Sequence, residues 1–545
     1  MQKDITGGRR MQILIKINGS ILLIIAASWI FTLCSTPGEG YIEQNVNAGD
    51  LFIAMTTNPA LKQNSNGEPF AWHACNGADL FVKGYKAWHD TSWLINAVKY
   101  YRFLLDNMKA APDGYRGLIG RNFRHKLWGN EQVSDALAVN PMLEFSELVL
   151  NDPELSAIYG DEAKEYVEFA KKHVIEKWDK RGLWHEEGAY GDYIFGSDFI
   201  DPVQPAEWVY DTTCKNSGMS QKFNIANKLA VTNLRLYRIT GDEFYRDKAE
   251  KLFYRLKSNF QYLDDHYVWH YWVPFYEGDV LFEKNDLIHW TAVHPFRAGY
   301  QASEVKQIVE AYHTGVVFSE KDMQRIINTN LEVMWNQDMV HPVFINSNGA
   351  IPDTTGIADF LKGANTGNKL RNMGTLWTSL IDFDARTRKL YEKQINNPEG
   401  NKAKIRKAYY YNVTRLEEPD FKRKYVNAKK VKTKEVPYGN SGEITVATVI
   451  PYIISAGENA FIITKSNVTG PLEIALYSDD GKERLETLYQ GDIIGGTDGH
   501  EGFRMIKWNG CDPDNAEKYR GDYLIRWNLG DGYRDYAIKI VESEK

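Results

Sequence analysis

The sequence predicts a multidomain protein, α then β: an (α/α) toroid, which is an incomplete barrel of helical hairpins, followed by a small antiparallel β-sandwich. Three observations predict it. Apolar residues recur at helical spacing from residue 41 to residue 395, as in helices with one buried face. From residue 441 to residue 545 they alternate with a period of two, which is typical of strands. The stretch 396–440 is rich in lysine and arginine and predicts a basic linker.

Antiparallel helical pairs make up most of the first domain. Gly241 ends one helix and Asp242 caps the next, and Gly315 and Ser319 have the same roles in a later pair. The pairs share no strict period, and long loops rich in tryptophan, histidine and asparagine join them, so we expect a closed ring; an open α-solenoid is the alternative. The predicted helices are Thr91–Met108, Ala163–Trp178, Ile225–Ile239, Glu243–Phe260, Val305–Thr314 and Glu320–Trp335.

Short strands separated by turn residues fill the C-terminal part. The stretch Leu472–Gly481, with Ile506–Gly510 and Gly521–Tyr523, resembles the immunoglobulin-like module of flagellar hook-capping proteins, which implies a sandwich fold and no chemistry. The basic linker before it is interpreted as a solvated connection, with a surface that guides an anionic polymer as the alternative. The predicted strands are Ile444–Ile450, Ala460–Thr464, Leu472–Tyr477, Phe503–Trp508, Tyr523–Trp527 and Tyr536–Val541.

The composition is that of a globular protein without a general affinity for nucleic acid. The 545 residues carry 65 lysines and arginines against 72 aspartates and glutamates, a net charge of −7. Aromatic residues are abundant, with 15 tryptophans and 32 tyrosines. They indicate large cores, or platforms on which sugar rings stack.

Residues 1–40 read as an export signal. Basic residues precede the apolar run Ile21–Leu33, which is too short for a comfortable membrane span. Either Cys34 is the lipidated cysteine of an outer-membrane lipoprotein, or cleavage falls near Gly38–Gly40. Both alternatives predict an exported protein, secreted or periplasmic. The other cysteines show neither metal spacing nor a disulfide framework.

One segment collects residues suited to proton transfer. His289, His294, Arg297 and Tyr300 fall within a few residues of one another, just before a predicted helix. No phosphate-binding loop, dinucleotide fingerprint, zinc helix or nucleophile elbow occurs, so no cofactor and no metal site is predicted.

The same segment carries a family resemblance. The aromatic run Tyr267–Trp272, an acidic residue three positions before His289, and a helix ending in Tyr312–Phe318 resemble (α/α)-toroid polysaccharide lyases of the ulvan, alginate and glucuronan type. The resemblance implies β-elimination on a uronic-acid polymer, with His289 and Tyr300 in proton transfer and His294 as the substitute for either. It implies carboxylate neutralisation by Arg297 and by an asparagine near the start of the helix at residue 225. Asn216 or Asn224 resembles the asparagine of such lyases, with a helix cap as the alternative for either, and Asn216 is the candidate we take forward.

A second group of residues suits an anionic polysaccharide. Guanidinium groups grip carboxylate or sulfate in pairs of hydrogen bonds, and tryptophans stack on sugar rings. The alternation of cations and aromatics favours a sulfated polymer such as ulvan. The candidate substrate-binding residues are Arg121, Arg124, His125, Trp128 and Trp208.

Two alternative functions stay open at this point. A glycoside hydrolase on the same scaffold needs two carboxylates about 5–10 Å apart, and Asp211, Glu207, Asp192 and Glu186 are available. A non-catalytic surface protein that captures glycans would use the tryptophan-rich loops alone.

Overall fold

A computed structural model gives the fold. It describes residues 40–63, 67–121, 128–187, 190–195, 198–200, 208–210, 218–257, 260–263, 266–269, 272, 298–345, 347, 374–414, 444–450, 453–455, 460–466, 469–493, 503–510, 519–530 and 532–541. Residues 1–39 of the predicted signal (residues 1–40), which include Cys34, lie outside these ranges. Within them, no helix is long and apolar enough to cross a membrane.

Helices dominate the chain up to residue 414. They are α1 (Ala48–Thr56), α2 (Pro59–Gln63), α3 (Gly67–Ala74), α4 (Leu80–Trp88), α5 (Ser92–Asp106), α6 (Gln132–Leu150), α7 (Pro153–Ala170), α8 (Lys177–Lys180), α9 (Phe223–Thr240), α10 (Glu243–Lys257), α11 (Ala298–His313), α12 (Glu320–Asn328), α13 (Ala385–Ile395) and α14 (Gly400–Tyr409). Wider π-helical turns extend α7 over Lys171–Glu176, α12 over Thr329–Met334 and α14 over Tyr410–Thr414.

These helices form a ring of pairs. In α6–α7, α9–α10 and α11–α12, consecutive helices pack against each other. The first helix of each pair also contacts the first helix of the next, α6 with α9 and α9 with α11. The C-terminal α14 packs against α4, so the end of the helical region returns to its beginning. This closure confirms the predicted (α/α) toroid and disfavours an open solenoid.

The inner helices α6, α9 and α11 run parallel and in register. Asn140 donates to the Lys228 carbonyl (3.0 Å), and the Lys228 ammonium lies 3.3 Å from Ser303 Oγ. Thirteen positions into their helices, Arg235 and Glu310 form an ion pair of 2.7 Å. The inner helices therefore begin at the same end of the ring, which we call its upper end.

The local signals that end and begin the helices behave as predicted. Gly241 follows α9 with φ of 70°, a left-handed conformation that glycine adopts without strain. The Asp242 carboxylate accepts from the Phe244 amide (3.0 Å) at the start of α10. Ser319 caps α12, with Asp322 completing a reciprocal capping box.

Short strands lie between the helices of the ring, where the sequence showed no regular strand pattern. These strands are too short and irregular for their sequences to show an alternation of apolar and polar residues. They are β1 (Lys109–Ala110), β2 (Arg116–Gly117), β3 (Gly120–Arg121), β4 (Trp128–Asn130), β5 (Trp184–Glu187), β6 (Tyr190–Phe195), β7 (Asp198–Ile200), β8 (Trp208–Tyr210), β9 (Met219–Ser220), β10 (Gln261–Leu263) and β11 (His266–Val268). The largest of their sheets has the order β3–β4–β7–β8.

The C-terminal strands form two sheets. They are β12 (Ile444–Ile450), β13 (Ile453–Ser455), β14 (Ala460–Ser466), β15 (Gly470–Ser478), β16 (Arg484–Ile493), β17 (Phe503–Trp508), β18 (Gly521–Leu529) and β19 (Gly532–Val541). One sheet has the order β12–β14–β17 and the other β13–β19–β18–β15–β16. Pairing is antiparallel except between β13 and β19. A shared core, with Ile462 from the first sheet and Ile474 and Trp527 from the second, makes this a β-sandwich.

The predicted basic linker begins with a helix. Residues 400–414 continue the ring, since Lys402 donates to the Asn76 carbonyl and Asn412 donates to the carbonyls of Ile42 and Ala87. Apolar Ile405 and Ala408 are buried between the cations. The prediction read the lysines as a solvated segment and missed this buried face, so it ended the ring too early, at residue 395. Residues 415–440 of the linker lie outside the described ranges.

Candidate functional site

The centre of the ring holds charged side chains in contact with water. Lys306 on α11 is exposed. Its pKa responds nevertheless to the charges of Asp79, which precedes α4, of Lys83 on α4 and of Glu144 on α6. An exposed lysine on α11 whose charged neighbours belong to α4 and α6 indicates an interior of the ring that is open to water. We call this interior the lumen.

Ion pairs fix the lower part of the lumen. The Arg235 guanidinium binds both oxygens of Glu310 (2.7 and 3.2 Å) and lies 3.5 Å from Glu144. Arg238 binds both oxygens of Glu147 (2.6 and 2.7 Å). Although burial opposes ionisation, the neighbouring Arg235 lowers the pKa of Glu310 to about 2. These pairs join α6, α9 and α11. Their carboxylates and guanidinium groups are occupied by one another, so we do not assign them a catalytic role.

A second polar group lies near the upper end, and we call it the lumen cluster: Trp72, Asn224, Lys228, Ser303 and Glu304. The Lys228 ammonium donates to the Asn224 carbonyl (3.1 Å) and to Ser303 Oγ (3.3 Å). It also lies 5.6 Å from the centre of the Trp72 ring, within the range of a cation–π interaction. Burial lowers its pKa to about 8.

Glu304 is the acid of the lumen cluster. Its side chain has no exposed surface, Oε2 accepts from Trp269 Nε1 (2.7 Å), and Oε1 has no partner among the described residues. Burial raises its pKa to about 8, despite the opposing effects of Trp269 and Lys228. At neutral pH the carboxyl group is therefore mostly protonated. It has no exposed surface, so it can donate that proton to a ligand only if the side chains that cover it move.

Buried amides on α9 and α11 offer hydrogen-bonding groups without a partner among the described residues. Asn224 Oδ1, Gln307 Oε1 and both side-chain polar atoms of Asn227 have no hydrogen-bond partner within the described part of the chain. Buried polar atoms rarely stay unpaired. The three amide oxygens can accept hydrogen bonds from the hydroxyls of a sugar or from water that the sugar displaces, and Asn227 Nδ2 can donate one.

Tyr300 is a predicted catalytic residue that the structure places beside this group. It is half-buried in the first turn of α11, four residues before Glu304. Side chains four residues apart share one face of a helix. The predicted phenol therefore belongs to the upper end of the ring, one turn above the buried acid.

Three predicted substrate-binding residues share one row of the four-stranded sheet. Arg121 pairs with Trp128, Trp128 with Ile200, and Ile200 with Trp208. Strand β4 leads directly into α6, so this row lies at the upper end of the ring. Residues separated by up to 87 positions in the chain are thus brought together by backbone pairing.

The remaining predicted residues cannot be placed. His289, His294, Arg297 and Asn216, together with Arg124 and His125, lie outside the described residues. Their proposed roles stay predictions. No group of three or more metal-ligating side chains occurs in the described ranges.

Of the four carboxylates named for the hydrolase alternative, two lie outside the described residues and two lie within them. Asp211 and Glu207 lie outside the described residues. Asp192 is fully buried against Arg255 (2.6 Å), and Glu186 binds Lys251 (2.8 Å). Both of these carboxylates are engaged in ion pairs that hold β-strands against α10, so they are structural.

Sequence reasoning missed Glu304 and Lys228. The sequence marks them only weakly. Each is a charged residue within a predicted helix, and such a residue is normally interpreted as exposed to solvent. Trp269, in the aromatic run that the sequence did single out, donates to Glu304. That contact links the predicted segment to the observed acid.

Comparison with known proteins finds remote structural similarity. The chain matches no protein-family model and no curated protein. It resembles the family 76 glycoside hydrolase from a bovine Bacteroides thetaiotaomicron strain at 14% identity and a TM-score of 0.29, over 45% of this chain and 43% of that one. The α-1,6-mannanase of Salegentibacter sp. HEL1_6 aligns at 13% sequence identity with a TM-score of 0.32, over 67% of this chain and 84% of that one.

A third similar structure is the family 76 mannosidase of Bacteroides thetaiotaomicron VPI-5482, at 12% identity and a TM-score of 0.31, over 64% of this chain and 86% of that one. These neighbours are enzymes that act on glycans, and they are hydrolases rather than lyases. Scores this low assign neither family nor activity to this chain.

Proposed function

We propose that this protein is a polysaccharide-degrading enzyme that hydrolyses glycosidic bonds in the lumen, with Glu304 as the proton donor. The observation that carries the proposal is the fully buried carboxyl group of Glu304, whose pKa of about 8 keeps it protonated at neutral pH. Glycoside cleavage requires such an acid, because the departing sugar oxygen must receive a proton.

Hydrolysis also needs a second carboxylate, to activate water or to attack the sugar. Glu68 on α3 is the candidate within the described part of the chain. It is buried and accepts from Trp72 Nε1 (3.1 Å), and Trp72 lies beside Lys228, which acts on Glu304. Asp211 and Glu207 stay candidates from the sequence alone.

The proposed substrate path runs over the upper end of the ring. The row formed by Arg121, Trp128 and Trp208 lies there, and the buried amides of Asn224 and Gln307 supply hydrogen-bonding groups further in. Aromatic and amide side chains suit the apolar faces and the hydroxyls of sugar rings. The hydroxyls of an uncharged polymer can pair with these amides, whereas Arg121 and Lys228 are the cations that a carboxylate would need.

β-Elimination on a uronate polymer is the second candidate. Tyr300, one turn from Glu304, favours it, because a phenol can take the carbon-bound proton or protonate the leaving oxygen. The Lys228 ammonium could neutralise the uronate carboxylate. The histidines that this mechanism needs are His289 and His294.

One assay with two readouts separates the mechanisms. The purified chain is incubated with α-1,6-mannan, alginate, glucuronan and ulvan, while reducing ends and the ultraviolet absorbance of unsaturated uronates are followed. We expect reducing ends without absorbance, and their loss in Glu304→Gln. The matched control is Glu250→Gln, which changes an outward ion pair on α10.

Rising absorbance would assign elimination instead. No product from any polymer, or full activity of Glu304→Gln, would contradict the proposal.

A further inference from the structure

Lys306 is the exposed cation of the lumen, and it lies between the lumen cluster and the lower ion pairs. On α11 it comes three residues after Ser303 and four residues before Glu310. Residues three or four apart share one face of a helix, so these three side chains follow one line down α11. The Lys306 ammonium forms no hydrogen bond or ion pair with a described residue.

The carboxylates around this ammonium are bound by other cations. Arg235 binds both oxygens of Glu310 (2.7 and 3.2 Å) and lies 3.5 Å from Glu144. Lys83 binds Asp79 at 2.5 Å. The ammonium on α11 is therefore left without a carboxylate of its own, as far as the structure describes the lumen.

Other cations act on Lys306 instead. The charge of Lys83 is the largest influence on the pKa of Lys306 and lowers it, against the opposing effect of Asp79. Lys306 in turn adds to the effect of burial in lowering the pKa of Lys228. Arg406 on α14 is exposed, has no hydrogen bond or ion pair within the described ranges, and acts on the same Asp79 carboxylate. Like charges held together in this way leave a positive potential in the lumen, which attracts anions.

The positive region adjoins hydrogen-bonding groups of the lumen cluster. The Lys228 ammonium lies 3.3 Å from the partly exposed Ser303 Oγ, and Gln307 Nε2 lies 3.4 Å from it. Gln307 directly follows Lys306 in the chain. A sugar bound at this level would meet an ammonium for a charged substituent and the Ser303 hydroxyl for one of its own hydroxyls.

We propose that Lys306 binds an anionic substituent of a sugar in the lumen, a carboxylate, sulfate or phosphate group, and that the ligand of this protein is therefore an acidic glycan. The Lys306 ammonium donates to the oxygens of that group in a charge-assisted hydrogen bond. Lys83 and Lys228 add to the attraction, because the bound anion offsets their repulsion of Lys306. Binding involves no covalent change. The statement that the same glycan is cleaved rests on the proposed hydrolysis.

The test is isothermal titration calorimetry of the full chain with oligosaccharides of ulvan, glucuronan and alginate, with neutral α-1,6-manno-oligosaccharides, and with sodium sulfate and sodium phosphate. Glu304→Gln is the background, so that the sugars stay intact. We expect at least one acidic oligosaccharide to bind, at least about tenfold weaker binding in Lys306→Gln, and retained binding in Lys306→Arg. The matched control, Lys164→Gln, removes an exposed lysine on the outer helix α7 and leaves binding unchanged.

Folding of the variant is measured in parallel. Lys306→Gln removes a charge that its neighbours repel, so its thermal unfolding should occur at or above the temperature of its background. A loss of binding in this variant then reports the site and not the fold.

Each outcome decides the inference. Binding of the inorganic anions alone, binding of the neutral oligosaccharides alone, binding of no acidic oligosaccharide, or equal binding by Lys306→Gln and Lys164→Gln would overturn it. The cleavage assay of the parent chain is read separately. A chain that binds acidic oligosaccharides through Lys306 without releasing reducing ends would refute the proposed hydrolysis and keep the site. A chain that hydrolyses only an uncharged polymer, at the same rate in Lys306→Gln, would do the reverse.

Discussion

At Glu304, burial and a single hydrogen bond determine the state of the acid. Without solvent around it the carboxylate is costly, so the proton stays on although the hydrogen bond from Trp269 and the charge of Lys228 favour the ionised form. Lys228 is close enough to act on the acid, yet its own pKa is lowered by the same burial. The pair therefore combines a protonated acid with a cation that gives up its proton readily.

The raised pKa of Glu304 has a consequence for stability. Its pKa is about 8 in the folded chain against 4.5 as the reference value, so the unfolded chain loses the proton first, and folding becomes less favourable as pH rises from 4.5 towards 8. Glutamine does not titrate. Between pH 5 and pH 8 we expect the stability of the parent to fall relative to that of Glu304→Gln, so that the difference in their free energies of unfolding changes by on the order of 3 kcal/mol. Urea unfolding at both pH values measures it, and a constant difference would refute the protonated state.

Removal of the Tyr300 hydroxyl should affect hydrolysis and elimination to different extents. If the bond is hydrolysed, the phenol takes no part in proton transfer, and Tyr300→Phe should lose less than about tenfold in kcat/KM. If it acts in elimination, the loss should reach about 100-fold or more. Initial rates on the polymer that the parent cleaves provide the comparison, and the larger loss would favour the lyase.

The sequence predicted residue types better than residue identities. Tyr300 and the row of Arg121, Trp128 and Trp208 were singled out because aromatic and basic residues cluster in loops, and their roles stay predictions. Glu304 and Lys228 were missed, because their chemistry comes from burial by helices that are distant in the chain. A single acid on a helix carries no local sign of what will surround it.

At the scale of elements, the inner helices are joined by ion pairs rather than by apolar contacts alone. The Arg235–Glu310 pair is largely buried, with 10% and 17% of the side chains exposed. Removing one partner of a buried pair leaves an uncompensated charge. The lower lumen therefore depends on both partners to hold the register of α9 and α11.

Glu310→Gln tests this dependence. We expect the free energy of unfolding to fall by about 3 kcal/mol at pH 7. The pKa of Glu310 is lowered from 4.5 to about 2, so its contribution is complete above pH 4.5 and is lost as pH falls towards 2. Denaturant unfolding of the variant and of Glu250→Gln at pH 7 and pH 3 measures both effects. An unchanged stability at pH 7 would show that the pair is not a structural link.

Element boundaries were predictable where a local signal exists. Gly241, Asp242 and Ser319 end and begin helices as expected, since their preferences are intrinsic to the residue. Strands β13 and β16 and the ring strands were missed. Their pairing depends on partners elsewhere in the chain, and β16 has mixed polarity because one of its edges is open in the strand order.

At the scale of the whole molecule, the predicted order of a helical ring and a β-sandwich is confirmed. The change from helical to two-residue apolar spacing located it, because that spacing reflects which faces are buried. Function was harder to predict, since the same scaffold can hold either an acid for hydrolysis or a base for elimination. The proposed hydrolysis rests on Glu304 of the lumen cluster, and the sequence kept a hydrolase as its first alternative.

The most direct test of proton donation by Glu304 uses a leaving group that needs no proton. Glu304→Gln and the parent are compared on the cleaved polysaccharide and on the 2,4-dinitrophenyl glycoside of its oligosaccharide, whose phenolate departs unaided. We predict that the variant loses at least about 1,000-fold on the polysaccharide and less than about tenfold on the dinitrophenyl glycoside. Equal losses on the two substrates would contradict the assignment of Glu304 as the acid.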